Sequence, residues 1–440
     1  MKPKILLVNP PIYDFAAYDF WLKPYGLLSV AGYMRGSVDV ILFDYLDRLH
    51  PFVVRQTALE SDLWGRGRFY REKIPRPSCL EAVPRYFRRF GLPRQLFRNF
   101  LTAQQQCDFI LIQTMMTYWY PGVQEVIEDI RKAWPGTKII LGGNYVTLCG
   151  KHARGLGADL IVQGANLGPL WKFLNIRPDL DQIPLWQAYE KINVGILKLS
   201  DGCPFNCTYC SVPEVYGRFK ARSLERSLRE LELLCRLGIK NIAFYDDALL
   251  FDAEKVLIPF LNEVINQKIH VNFHSPNALN ARFMTDQLTE LMVGAGFKTF
   301  YLGFESASLE WQRQTGSKVS SDELEQAVQH LFAAGADPQN ITAYQILGHP
   351  QIDIQQLEAS MRFTNGLGIR GMLADFSPIP GTPDGEYCRK WVDMDEPLYH
   401  NKTAFPIIMM GFDESNRLKD LQRKLNRSLP GDKSNATSRR

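Results

Sequence analysis

Cysteine is scarce in this chain, eight in 440 residues, and five of the eight stand alone. So thin a supply excludes a disulfide-built scaffold and points to a reducing compartment, so the protein is expected in the cytoplasm. Long hydrophobic runs are missing too, and none approaches the eighteen apolar residues of a membrane span. The first apolar stretch, Lys4-Ile-Leu-Leu-Val8, is too short for a secretory signal and stops at Pro10-Pro11, so it reads as a buried strand. Charge of one sign is also lacking. With 51 Lys/Arg against 47 Asp/Glu, composition makes no case for a nucleic-acid partner. A hydrophobic content of 45% gives ample core for two or three domains.

Against that scarcity, Cys203-Pro-Phe-Asn-Cys207-Thr-Tyr-Cys210 gathers three thiols into eight positions. Thiolates this close are usually metal ligands. Zinc would need a fourth Cys or His to close its tetrahedron, and the flanking Leu199-Ser-Asp-Gly202 offers none. Three thiolates with an open fourth corner suit a [4Fe–4S] cluster carrying one iron free for a small ligand. Zinc and a plain electron-transfer cluster remain the alternatives.

Residues 1–175 alternate strand and helix. Apolar runs at 4–8, 38–43, 107–112, 138–141 and 158–162 read as strands buried on both faces, and 122–134 carries a helical period. This predicts a doubly wound, Rossmann-like α/β domain, which takes ligands at the carboxyl ends of its strands. Segment 50–105 interrupts the rhythm. Between His50 and Phe100 it holds eleven Arg/Lys against four Asp/Glu, interleaved with aromatics such as Trp64, Phe69, Tyr70, Tyr86, Phe87, Phe90 and Phe97. It is either a lid that grips an anionic substrate or cofactor, or an insertion whose arginines pair within the chain.

Residues 176–192, with Pro178 and Pro184 and no helical period, read as a linker. From 193 to 384 six strand–helix units follow, with strands at 194–199, 241–245, 270–273, 299–302, 340–347 and 371–376. Such a series implies a parallel sheet curled into a partial (β/α)6 barrel, with its active site at the carboxyl ends of the strands. The cysteines follow the first of these strands. A small α-rich appendage spans 385–440, and its last thirteen or so residues are polar and expected to be disordered.

Cysteine spacing and barrel pattern together resemble the radical S-adenosylmethionine (SAM) superfamily. The resemblance implies that Cys203, Cys207 and Cys210 hold a [4Fe–4S] cluster whose fourth iron binds SAM. It further implies reductive cleavage of SAM to a 5′-deoxyadenosyl radical. Tyr209 matches the residue lying against the adenine. Asp246 and Asp247 match the contact to the SAM amino group. Glu305, in Gly303-Phe-Glu-Ser306, and Gln345, in Gln345-Ile-Leu-Gly-His-Pro350, match segments near ribose and adenine. Phe376-Ser-Pro-Ile-Pro-Gly-Thr-Pro383 resembles the last-strand turn of one large branch.

A Rossmann-like domain placed before such a barrel resembles the cobalamin-binding branch, many of whose members are methyltransferases. The resemblance assigns Thr114, Gly142, Gly143 and Gly164 to cobalamin and implies methyl transfer to an unactivated carbon of a small-molecule or peptide substrate. A radical rearrangement or cyclisation is the alternative. An Fe–S binding or regulatory protein without catalysis is the alternative of another class. A reductant such as flavodoxin or ferredoxin is the implied partner. Two departures stand out. Asn9 to Trp21 contains no histidine to ligate cobalt, and Gly164-Ala-Asn-Leu-Gly168 stands where the branch usually has Gly-Glu-Gly-Glu.

Overall fold

The structure, a computed structural model, describes residues 2–56, 61–316 and 319–430. The expected disorder at the end of the chain falls mostly beyond residue 430, outside the described residues.

Five strands form the first sheet: β1 (Lys4–Asn9), β2 (Asp39–Asp44), β3 (Phe109–Thr114), β4 (Lys138–Gly143) and β5 (Leu160–Val162). All pair in parallel, in the order β2-β1-β3-β4-β5. Ile5, Leu6, Leu7 and Val8 are all fully buried, because helices cover both faces. Ile5 and Leu7 pack with Leu27 and Ala31 of α1 (Tyr25–Tyr33). Leu6 and Val8 meet Val126 and Ile130 of α2 (Tyr120–Ala133) on the other face. That two-sided burial explains why the strands read as unbroken apolar runs rather than alternating ones.

The second sheet holds β6 (Val194–Leu197), β7 (Asn241–Phe244), β8 (Asn272–Asn280), β9 (Phe297–Glu305), β10 (Ile341–Leu347) and β11 (Arg370–Asp375). These six run parallel and neighbour one another in sequence order, as expected of successive strand–helix units. Phe244, Phe273 and Phe297 pack their rings together beneath the outer helices. The free edge at β11 is covered by the last long helix, Phe412–Arg427. There Asn426 accepts from Gly371 N and donates to Gly371 O, both at 2.9 Å, so the edge is not left open to pairing.

Segment 50–105 is pinned down by its arginines. Arg89, 3% exposed, makes a two-pronged pair with buried Glu125 of α2, its Nη2 at 2.7 Å and its Nε at 2.9 Å. Arg94 and Arg98 converge on Asp129 one turn later. The reading in which the arginines pair within the chain describes these contacts.

Loops from the first half of the chain also fill the amino-terminal end of the second sheet. Trp21 is fully buried against His274 of β8, ring to ring at 4.4 Å, and donates from Nε1 to Trp64 O at 2.8 Å. Arg66 donates to the Tyr301 hydroxyl of β9 at 2.5 Å. The floor of this sheet is therefore closed, and open space is found at the opposite end. The 385–430 region packs against the first sheet's loops: Asn401 donates to Asp14, and His400 meets Thr117, both at 2.9 Å.

Candidate active site at the cysteine loop

β6 runs into the cysteine loop through Lys198-Leu-Ser200, and the turn is held from below by Asp246. Its carboxylate accepts from Leu199 N at 2.9 Å, Ser200 N at 2.6 Å and Ser200 Oγ at 2.6 Å. Asp201 is held by two bonds from Arg222, at 2.8 and 2.9 Å. Gly202 then turns with φ +71, and a Cβ there would lie 2.5 Å from Gly217 O. Only glycine fits that approach.

Cys203, Cys207 and Cys210 are each half-buried and line one cavity of about 320 Å³. Among the described residues no three His, Cys, Asp or Glu side chains are already drawn together as a metal site. The thiols instead surround a space. Its other walls include Phe205, Tyr209, Phe251, Phe283, Asp247, Asn277 and Asn280. Two polar atoms in this wall, Asp247 Oδ2 and Asn280 Nδ2, are buried without a hydrogen-bond partner. Burial pushes the Asp247 carboxyl up to about 6, against the pull of Lys198, whose Nζ lies 4.0 Å away. Orphaned donors and acceptors are costly in a folded chain, and a polar ligand relieves them.

Tyr209 stacks on Trp311 with centroids 6.0 Å apart. Burial drives its hydroxyl well above the usual range, helped by Glu305 and Cys207 nearby. Glu305 ends β9 in the left-handed region, φ +57, at the step where the β9–β10 register shifts. A non-glycine residue there is strained, and such strain gathers at functional sites.

Three residues expected near SAM, Asp246, Glu305 and Gln345, are not among those that line this cavity. Asp246 is committed to the turn beneath the cysteines and is 2% exposed. Gln345 is fully buried on the helix side of the sheet and donates to Thr364 of the outer helix at 2.8 Å. Its neighbour Tyr344 faces the other way, donating to Pro276 O at 3.2 Å. Neither Asp246 nor Gln345 lines the cavity, whereas Asp247, Tyr209 and the cysteines do. Sequence reasoning missed Asn277 and Asn280. Asn277 belongs to an irregular stretch of β8 between Ser275 and Leu279 and Asn280 ends that strand, and Pro276 in the middle of a strand was the available signal.

The first sheet presents its carboxyl edge to the same region. Tyr216, in the short helix after Cys210, donates to Asn144 at the end of β4 at 3.0 Å. Thr114 is 2% exposed, donating to Gly142 O at 3.0 Å and accepting from Val146 N at 3.3 Å. Gly143 has φ +117, and a Cβ would lie 2.1 Å from Thr114 O. Around Gly142 and Gly164 a Cβ would meet nothing within 4 Å.

These observations accord with the comparisons. The model of the radical SAM superfamily matches residues 197–364, which hold the cysteine loop and most of the second sheet. An uncharacterized methyltransferase of Pyrococcus horikoshii is 27% identical over 215 residues, covering 48% of this chain and 45% of that protein. A hopanoid C-2 methylase of Rhodopseudomonas palustris is 26% identical over 130 residues, covering 28% of this chain and 25% of the methylase. The chain thus spans less than half the length of these curated relatives. Among solved structures, the radical SAM methyltransferase TsrM of Kitasatospora setae, with cobalamin and a [4Fe–4S] cluster, aligns at TM-score 0.65 and 14% identity. That alignment covers 89% of this chain and 78% of TsrM. The cobalamin-dependent radical enzyme OxsB aligns at TM-score 0.56 and 16% identity, covering 96% of this chain and 61% of OxsB. Both sheets therefore share one architecture with these enzymes.

Proposed function

We propose that this chain is a radical SAM enzyme that transfers a methyl group, with cobalamin, to an unactivated carbon of a small-molecule or peptide substrate. The observation that carries the reading is one cavity that joins three thiols to Asp247 and Asn280, whose buried Oδ2 and Nδ2 atoms lack a hydrogen-bond partner. The donor set fits a [4Fe–4S] cluster held by Cys203, Cys207 and Cys210. When bound, SAM at such a cluster supplies a radical able to take hydrogen from carbon, and cobalamin supplies a transferable methyl group.

The rest falls to the chain's own residues. Asp247, ionised above about pH 6, accepts hydrogen bonds from an ammonium group, and Asn280 Nδ2 donates to a carboxylate. Tyr209, backed by Trp311, offers a flat apolar wall to a purine. Phe205, Phe251 and Phe283 exclude water from that end of the cavity. For cobalamin, the open glycines Gly142 and Gly164 leave room at the first sheet's edge, with Gly143 and Thr114 shaping the turn. A flavodoxin or ferredoxin is the proposed reductant.

Anaerobic reconstitution with iron, sulfide and hydroxocobalamin, followed by SAM and reductant, tests this reading. Formation of S-adenosylhomocysteine supports methyl transfer. 5′-Deoxyadenosine without S-adenosylhomocysteine or cobalamin uptake points instead to a rearrangement or cyclisation. Cys207→Ala is expected to lose both the cluster and SAM cleavage, and retained cleavage would overturn the assignment of the site.

A further inference from the structure

The turn after β11, Ile379-Pro-Gly-Thr-Pro-Asp-Gly385, is built as a rigid bracket. Gly381 turns with φ +82 and donates its N–H to Glu386 at 2.9 Å. Thr382 accepts from Gly385 N at 3.1 Å and donates to Ile379 O at 2.8 Å. Gly385 lies so close to Ile379 that a Cβ would be 1.8 Å from its carbonyl oxygen. What this bracket presents is Asp384, 8% exposed.

Asp384 grips the cysteine loop twice at one residue. Its backbone N–H donates to Thr208 O at 3.1 Å, and its Oδ2 accepts from Thr208 Oγ1 at 2.7 Å. Thr208 stands between Cys207 and Tyr209, in the middle of the loop that carries the second and third thiols. Behind Asp384 sits His349, 3% exposed, its Nε2 3.1 Å from the same Oδ2. His349 Nδ1 accepts from Gln351 N at 3.2 Å. A backbone N–H can only donate, so Nδ1 is the accepting nitrogen and Nε2 is the one left beside the carboxylate, close to it but outside hydrogen-bond geometry. Phe376 and Trp311 pack edge-on against the ring and fix it.

We infer that Asp384 is a positioning residue for the cysteine loop, and that His349 in turn positions Asp384. The last strand of the sheet thereby fixes the loop that follows the first, holding Cys207 and Cys210 toward the cavity before any cluster arrives. The inference rests on the reading that these cysteines hold a cluster. The bracket itself, however, is tested without one.

The experiment measures backbone hydrogen exchange in the full-length, metal-free chain, together with iron bound per chain after anaerobic reconstitution. Asp384→Ala is expected to speed exchange in the 206–211 segment roughly tenfold while β6 and β7 stay protected, and to lower iron uptake. Thr208→Val, which removes only the hydroxyl, is expected to act in the same direction. Asp384→Asn keeps an acceptor for Thr208 and is expected to restore most of the protection. Unchanged exchange in both Asp384→Ala and Thr208→Val would overturn the inference. If the unmodified chain takes up no iron, the cluster reading fails, while the exchange data still decide whether the bracket orders the loop.

Discussion

Asp246 and Asp247 are adjacent carboxylates with opposite uses. Asp246 accepts bonds from Leu199, Ser200 N and Ser200 Oγ and is spent on the turn. Asp247 faces the cavity with Oδ2 unsatisfied and its carboxyl pushed up to about 6 by burial. A raised folded-state value means that ionised Asp247 penalises folding above about pH 6, and the penalty fades as the pH falls toward the ordinary carboxylate range. A cationic ligand reverses the preference, since it favours the ionised form. Binding of a non-cleavable SAM analogue is therefore expected to weaken as the pH falls through about 6. Asp247→Asn is expected to bind more weakly and with little pH dependence, as read by equilibrium titration. Analogue affinity in the unmodified protein that stays flat across this range would remove Asp247 from the ligand site.

At the scale of elements, the buried Arg89–Glu125 pair carries the attachment of segment 50–105 to α2. Truncating one partner strands the other charge in the core. Arg89→Ala is therefore expected to cost about 3–5 kcal/mol in chemical denaturation. A loss under about 1 kcal/mol would mean that Glu125 finds water or another partner, since exposed pairs are worth no more than that. All eleven strands of the two sheets were legible in the sequence, because two-sided burial writes continuous apolar runs. Boundaries shifted where the chain departs from regularity: β8 runs to Asn280, past the expected end at 273, through the irregular stretch at Pro276. The faces of the strands were not legible. In a strand buried on both sides Gln345 and Tyr344 look equally internal, and only the folded pleat shows that Gln345 points to Thr364. The cysteine cavity was legible for a different reason: its three thiols are local in sequence. Asn277 and Asn280 reach it from β8, and Asp384 reaches the cysteine loop from the turn after β11, with no spacing rule to betray them.

At the scale of the whole molecule, the first half of the chain both closes and serves the second. Trp21 fills the amino-terminal end of the second sheet, stacked on His274, whose ring burial pushes down to a pKa of about 3 and so keeps neutral. Trp21→Ala is expected to destabilise the protein by about 3–5 kcal/mol, with the loss felt by probes in both halves during thermal unfolding. Melting that leaves the second sheet unaffected would show that the plug is not shared. With the floor closed, the cysteine cavity lies at the other end of the barrel strands, and Tyr216 joins its following helix to Asn144 at the first sheet's edge. That arrangement sets two candidate cofactor seats face to face.

The proposed function turns on three thiols that would leave one corner of a cluster open for SAM. Electron paramagnetic resonance of the anaerobically reconstituted, reduced protein, recorded with and without SAM, tests it most directly. The expected result is a [4Fe–4S] signal that changes shape when SAM is added and is absent from Cys207→Ala. A cluster signal indifferent to SAM, or one that survives in Cys207→Ala, would contradict it.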